Sequence, residues 1–240
     1  MIRTAVVIAG GRGERLMPLT ADRPKAMVEI AGRPLLHWVL LWLRDQGIRR
    51  VGIGVAYQGE KIIEYIERER PAGLDVVFSQ HTLEGGTAEG FRRVIERAVE
   101  DDDFLAMNCD EITNLSVARF EATHRRLGTS VTMALAPFFC RFSVVELASN
   151  GLITGFRYGR RLPQVPVSIG IYLFKREICA LLPERGSIED LLFTRLAEEG
   201  RLGGHPLGDD EVWVSVNDMK NIREAEEALR AFGRIFPTTY

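Results

Sequence analysis

Residues 10–27 read Gly10-Gly11-Arg12-Gly13-Glu14-Arg15-Leu16-Met17-Pro18-Leu19-Thr20-Ala21-Asp22-Arg23-Pro24-Lys25-Ala26-Met27, close behind the apolar run Thr4–Ile8. A strand that runs into a glycine-rich turn brings main-chain N–H groups against an anion, and Arg15 and Lys25 supply the charge that amides lack. The expected ligand is a nucleoside triphosphate, with Ala9, Gly10, Gly11 and Gly13 along its phosphates. Two common phosphate loops do not fit. No Gly-Lys-Ser/Thr stands at P-loop spacing, and a dinucleotide loop wants a third glycine where Leu16 stands and an acid where Tyr57 stands.

The 240 residues suffice for one large α/β domain with a sizeable core. Net charge is −2 with acids and bases interspersed, so the basic footprint of a nucleic-acid binder is missing and the nucleotide is expected as a small ligand. Cys109, Cys140 and Cys179 lie far apart without a Cys-x-x-Cys pair, which argues against a disulfide scaffold or zinc site and for a reducing cytoplasm. The most apolar stretch, residues 34–43, stops at Arg44, too short for a bilayer span, so no membrane partner is expected. No targeting segment is expected either.

Apolar runs and helical periodicity alternate through the first half. Strands are predicted at Thr4–Ile8 and at residues 51–55, 75–78 and 104–107, with helices at 34–46, 60–68, 87–99 and 116–127. That alternation implies a Rossmann-like three-layer α/β sandwich around a mostly parallel sheet, with ligands beyond the strands' C-terminal ends. After Gly128 the pattern changes. Strands are predicted at 129–136, 143–147, 152–156, 167–174 and 212–216, the middle pair flanking the turn signal Asn150-Gly151. Residues 175–182, 188–199 and 219–230 are predicted helical, and the Gly/Arg/Pro-rich residues 157–166 read as a loop over the ligand. This half is expected to be a mixed extension of the same sheet, within a single domain over residues 1–240.

Asn108-Cys109-Asp110 follows the fourth strand at the ligand edge, whereas the acidic residues 100–103 precede that strand and read as a solvated loop. Asn217-Asp218 stands between a late strand and the last helix, where either residue also suits an N-cap. Gln80 ends the third strand, and Gly86-Thr87-Ala88 opens the next helix. His37, Trp38 and Trp42 read as core, and His124, among polar neighbours, as surface.

Residues 10–27 resemble the signature of the sugar-1-phosphate nucleotidylyltransferases: Gly-Gly-x-Gly-x-Arg-Leu-x-Pro-Leu-Thr, then Pro-Lys-x-Met. The likeness runs on through Gly32-Arg33-Pro34-Leu35-Leu36, with landmarks up to the last helix. It implies a GT-A-like fold whose NTP-binding half covers about residues 1–128 and whose sugar-binding half covers about residues 129–240. The implied reaction is attack of a sugar 1-phosphate oxygen on the α-phosphorus of an NTP, with departure of pyrophosphate. Such chemistry needs positioning and charge neutralisation and no general base.

On that resemblance Arg15 holds the triphosphate, Lys25 neutralises the α-phosphate, and Asp110 binds a magnesium ion with Asn217 as second ligand and Asp218 in reserve. Gln80 and Gly86 belong to the stretch implied to read the base. Asn108, Gly170 and Glu189 are implied on the sugar side, although Ser187 and Asp190 also make Glu189 look like part of a helix cap. The family's Glu-Lys-Pro is absent after Phe156, leaving Arg160 or Arg161 for the sugar phosphate. Length mildly favours a mannose- or heptose-type guanylyltransferase. The alternative is a catalytically silent homologue that binds a nucleotide-sugar and regulates a partner. Whether the chain forms a homo-oligomer is left open.

Overall fold

The structure is a computed structural model that describes residues 1–69 and 73–233. The strands are β1 (Thr4–Ile8), β2 (Glu29–Ile30), β3 (Arg33–Pro34), β4 (Arg50–Val55), β5 (Asp75–Gln80), β6 (Asp103–Asn108), β7 (Glu111–Thr113), β8 (Val131–Leu147), β9 (Ile153–Lys175), β10 (Leu202–Pro206) and β11 (Trp213–Ser215). The helices are α1 (Leu35–Asp45), α2 (Gly59–Glu69), α3 (Gly86–Ala98), α4 (Val117–Leu127), α5 (Thr194–Glu198) and α6 (Met219–Ala231). Seven strands form the main sheet in the order β10-β8-β9-β6-β1-β4-β5. Strands β6, β1, β4 and β5 run parallel, and β9 joins β6 antiparallel.

Strand alternation explains why both faces of this sheet are covered. In β1, Ala5 and Val7 point into one buried cluster and Val6 into another. In β6, Leu105 and Met107 join the first, Phe104 and Ala106 the second. The first cluster takes Leu36, Val39 and Trp42 of α1, Ile62 and Ile66 of α2, and Phe120 of α4. The second takes Phe91 and Val94 of α3 with Tyr172, Phe174 and Phe193. A parallel sheet read from near-continuous apolar runs needs this double cover, and the three-layer sandwich follows.

Several details differ from the sequence reading. Residues 157–166 are part of β9, which pairs with β8 out to Leu147 in one long antiparallel ribbon. Their three arginines, two prolines and single glycine hide the alternation that a strand shows. Strand β11 does not extend the main sheet; it pairs with β7 in a separate two-stranded sheet. Strand β10, which carries two glycines and a proline, was not predicted. Residues 176–180 form a 3₁₀ turn, and a π-helical turn at Glu189–Phe193 leads into α5.

His124 is buried, a correction to its surface assignment. It follows Val117 and Phe120 on the inner face of α4 at helical spacing, and its Nδ1 lies 2.7 Å from the Thr132 hydroxyl. Burial lowers its pKa, so the ring favours the neutral form. His37 is half-buried, with Nδ1 2.9 Å from the Tyr65 hydroxyl.

The fully buried Phe174 ring contacts Phe91, Phe104, Tyr172 and Phe193 at centroid distances of 5.9, 5.7, 5.7 and 6.2 Å. Phe174→Ala is therefore expected to lower unfolding stability by about 3–5 kcal/mol in urea titration. A loss below about 1 kcal/mol would mean that this side of the sheet closes up around the missing ring.

Candidate active site

The loop after β1 is held by its own sequence. Gly13 sits at φ +71°, and a Cβ there would lie 3.0 Å from both Lys25 Cβ and Thr20 Cγ2, so glycine is required twice over. The Thr20 hydroxyl donates to the Gly13 carbonyl at 2.9 Å, and the Lys25 N–H donates to the Gly11 carbonyl at 3.2 Å. Leu16 is fully buried against a cluster that includes Val28, Ile30, Leu35 and Trp38. Arg12 stacks over Tyr57 at 5.3 Å, the residue standing where a dinucleotide site would place an acid. Among the described residues, no protein acceptor takes the N–H groups of Gly10, Gly11, Arg12 or Gly13. They remain free for an anion.

These residues face a cleft of about 950 Å³ at the C-terminal edge of β1 and β6. Ala9, Gly10, Gly11, Gly13, Arg15 and Lys25 line one side. Gly86, Asn108, Asp110 and Asn217 complete the predicted residues on its wall. Three distant segments meet here on one ammonium group. Lys25 Nζ donates to Asp110 Oδ2 at 2.5 Å and to Asn217 Oδ1 at 2.9 Å, with both ionic side chains about four-fifths shielded from solvent. Arg15 Nη2 donates to the same Asn217 oxygen at 2.9 Å. Asp218 takes the capping role instead: its carboxylate accepts from the Asn221 N–H at 3.0 Å, and the Asn221 side chain returns the bond. That bond, with Arg141 nearby, holds the Asp218 carboxyl below its usual range.

Asn217 is oriented by a chain of hydrogen bonds that the sequence reading missed. Its Nδ2 donates to Ser215 Oγ at 2.6 Å, and Ser215 Oγ donates to Glu111 Oε1 at 3.2 Å. Trp213 Nε1 donates to the other Glu111 oxygen at 2.5 Å. With its amide nitrogen spent on Ser215, Asn217 turns its oxygen toward Lys25 and Arg15. Glu111 is buried, and burial together with the adjacent Asp110 pushes its carboxyl well above the usual range. The only sequence signal for this group was an acid placed directly after Asp110.

Strand alternation also decides which side chain at the end of β5 faces the cleft. Ser79 and His81 are buried while Gln80 between them is exposed on the edge strand, so His81 lines the cleft and Gln80 does not. Thr87, also on the cleft wall, is sewn to the opposite half of the chain. Its hydroxyl donates to Glu189 Oε2 at 3.1 Å and accepts from the Ile188 N–H at 3.0 Å, while Ala88 N–H reaches the Gly186 carbonyl at 2.9 Å. Ser187 caps the following turn and also bonds Glu189 at 2.9 Å, so Glu189 is engaged outside the cleft wall. Gly170, at φ +72°, lets β9 pass within 3.0 Å of Asn108 Nδ2 and Glu111 Oε1, measured from the Cβ it lacks. Arg160 is exposed on the β8–β9 ribbon opposite Cys140 and does not line the cleft. Another cation, Arg141, approaches Asp218 at 3.4 Å.

A family model described as nucleotidyl transferase matches residues 4–231. The mannose-1-phosphate guanylyltransferase catalytic subunit beta of Drosophila melanogaster is 30% identical over 226 residues, covering 90% of this chain and 60% of that protein. The UTP–glucose-1-phosphate uridylyltransferase of Synechocystis is 25% identical over 241 residues, covering 92% of this chain and 62% of its own. The chain thus spans about three-fifths of the length of these relatives. In fold it is similar to HddC from Yersinia pseudotuberculosis complexed with GMP-PN, with TM-score 0.76, 21% identity and coverage of 95% of this chain and 100% of the other. The family match spans nearly the whole described chain, and relatives named for sugar-1-phosphate substrates accompany it: this chain belongs to the nucleotidyl transferase family.

Proposed function

We propose that the protein transfers a nucleotidyl group from an NTP to a sugar 1-phosphate, releasing pyrophosphate. The observation that carries this reading is the meeting of Lys25, Arg15, Asp110 and Asn217 at the mouth of a loop whose N–H groups are free. The guanylyltransferases among its relatives, and the GMP-PN held by a protein of the same fold, support guanosine triphosphate as the donor. The guanylyltransferase relatives are named for mannose 1-phosphate, and a heptose 1-phosphate is the related acceptor carried beside it.

In this reaction an oxygen of the sugar phosphate forms a bond to the α-phosphorus, and the bond from that phosphorus to the β-bridging oxygen breaks. The electron pair leaves with pyrophosphate, and no proton changes hands at the attacking group. The free amides of Gly10 to Gly13 cradle the phosphates, and Arg15 grips the outer ones with its planar fork. Lys25 exchanges Asp110 and Asn217 for the α-phosphate, whose charge it offsets as the pentavalent geometry forms. Glu111 and Ser215 act through Asn217 by fixing the direction of its oxygen.

Asp110 and Asn217 would hold a magnesium ion. Their oxygens already converge on one cation, the Lys25 ammonium, and hard oxygen donors suit this metal. Among the described residues no three His, Cys, Asp or Glu side chains form a metal cage, yet magnesium keeps most of its waters and needs only one or two protein oxygens. When bound, the ion supplies charge neutralisation for the phosphates.

The test is pyrophosphate release over a grid of NTPs and sugar 1-phosphates. Guanosine triphosphate with a mannose- or heptose-type acceptor is expected to react, and silence across the grid would favour a nucleotide-sugar-binding regulator. Lys25→Ala and Asp110→Ala should each lower turnover about 100-fold or more while circular dichroism stays native. Turnover that survives either change removes that residue from the chemistry. Chelation with EDTA should abolish release, and added magnesium should restore it. Glu111→Ala is expected to cost about 10- to 100-fold, and Glu111→Gln, which can still bond Trp213 and Ser215, to recover most of that loss. Equal losses in both variants would show that the carboxylate acts by its charge rather than by holding Asn217.

A further inference from the structure

Strands β8 and β9 continue as a pair well beyond the sheet that gives rise to them. Strand β10 reaches β8 only over residues 131–135, and β6 reaches β9 only over residues 171–175, yet the β8–β9 pairing continues to Leu147 and Ile153. The outer part is a two-stranded arm with both edges open. Such a ribbon is only marginally stable in water without a cover.

The register gives this arm one apolar face. Ser143 lies opposite Tyr158, Val145 opposite Phe156, and Leu147 opposite Ile153. Directly opposed residues share a face, so Val145, Leu147, Ile153, Phe156 and Tyr158 line one side, while Val144, Glu146, Gly155 and Arg157 take the other. The stripe is bare: Tyr158 is 79% exposed, Phe156 and Leu147 68%, Ile153 59%, and Leu152 at the turn 65%. Together these side chains offer on the order of 700 Å² of largely apolar surface. That exceeds the usual largest patch on a monomer and approaches the roughly 800 Å² that each partner contributes to a stable interface.

We propose that the arm docks on a second copy of this chain, its apolar face covered in a two-fold symmetric dimer. A stripe of this size on one face is what an isologous contact uses, because the same patch serves both partners. The stripe also carries no charge of its own: within residues 143–158 the ionic side chains are Glu146 and Arg157, and both lie on the opposite face, so two stripes can meet without burying an ion. Burial between two copies also covers the open edges, which otherwise invite uncontrolled strand pairing.

Sedimentation velocity of the full chain between about 1 and 100 µM tests this. A dimer is expected, and the paired change Phe156→Glu with Tyr158→Glu should weaken association about 100-fold or more. Val144→Thr, on the opposite face, should leave it unchanged. Because the double variant risks misfolding, hydrogen exchange on the unaltered chain gives a second readout: amides of residues 143–158 should gain protection as concentration rises. A monomer at every concentration overturns the proposal, as does a dimer that survives the double variant with exchange in the arm unaffected. Binding of a monomeric chain to phosphatidylserine vesicles would also overturn it, assigning the face to a membrane surface.

Discussion

Lys25 reaches Asp110 and Asn217 from a loop that precedes them by 85 and 192 residues, and the rest of the fold holds the three in place. Desolvating an ammonium group is costly unless oxygens surround it, so each of these positions has meaning only beside the others. The parallel core brings them together. Strand β1 delivers the loop, β6 delivers Asp110 at the same sheet edge, and the small β7–β11 sheet returns Asn217 to that edge from the far end of the chain. The loops after β1 and β6 leave the parallel sheet on one side, the usual consequence of parallel strands joined by helices on both faces.

Much of this was legible in the sequence because the same residues serve structure and site. Leu16 and Thr20 recur in the signature for a structural reason: one fills the core beside Trp38 and the other pins Gly13. The alternation of strands and helices up to Leu127 followed from periodicity alone, and Asp110 was recognisable from its place after β6. Asn217 and Asp218 were ambiguous locally, and the capping box resolves them by engaging Asp218.

What stayed hidden depends on contacts between distant segments. Glu111 looks like any loop acid until Trp213 and Ser215, a hundred residues later, close over it. Gln80 was expected to face the nucleotide because its stretch resembles the family's base-reading loop, yet the alternation of β5 turns it outward and brings His81 in. The tip of the arm was expected as a hairpin of residues 143–147 and 152–156, and only residues 157–166 escaped, because their arginines and prolines imitate a loop. Only the register reveals that Val145, Phe156 and Tyr158 share a face. The missing Glu-Lys-Pro lysine belongs with this group: the segment that would carry it extends into the ribbon, where Arg160 pairs opposite Cys140 away from the cleft wall.

The seam between Thr87 and the turn at Gly186–Glu189 has a consequence for how such a protein changes over generations. The segment that opens α3 on the cleft wall and the segment from the other half of the chain are stitched by four hydrogen bonds, two of them through one hydroxyl. Remodelling one therefore drags the other with it, and a lineage in which change begins at Thr87 inherits a disturbed Gly186–Glu189 turn in the same step. Innovation along this seam proceeds by compensated pairs of substitutions rather than by single ones.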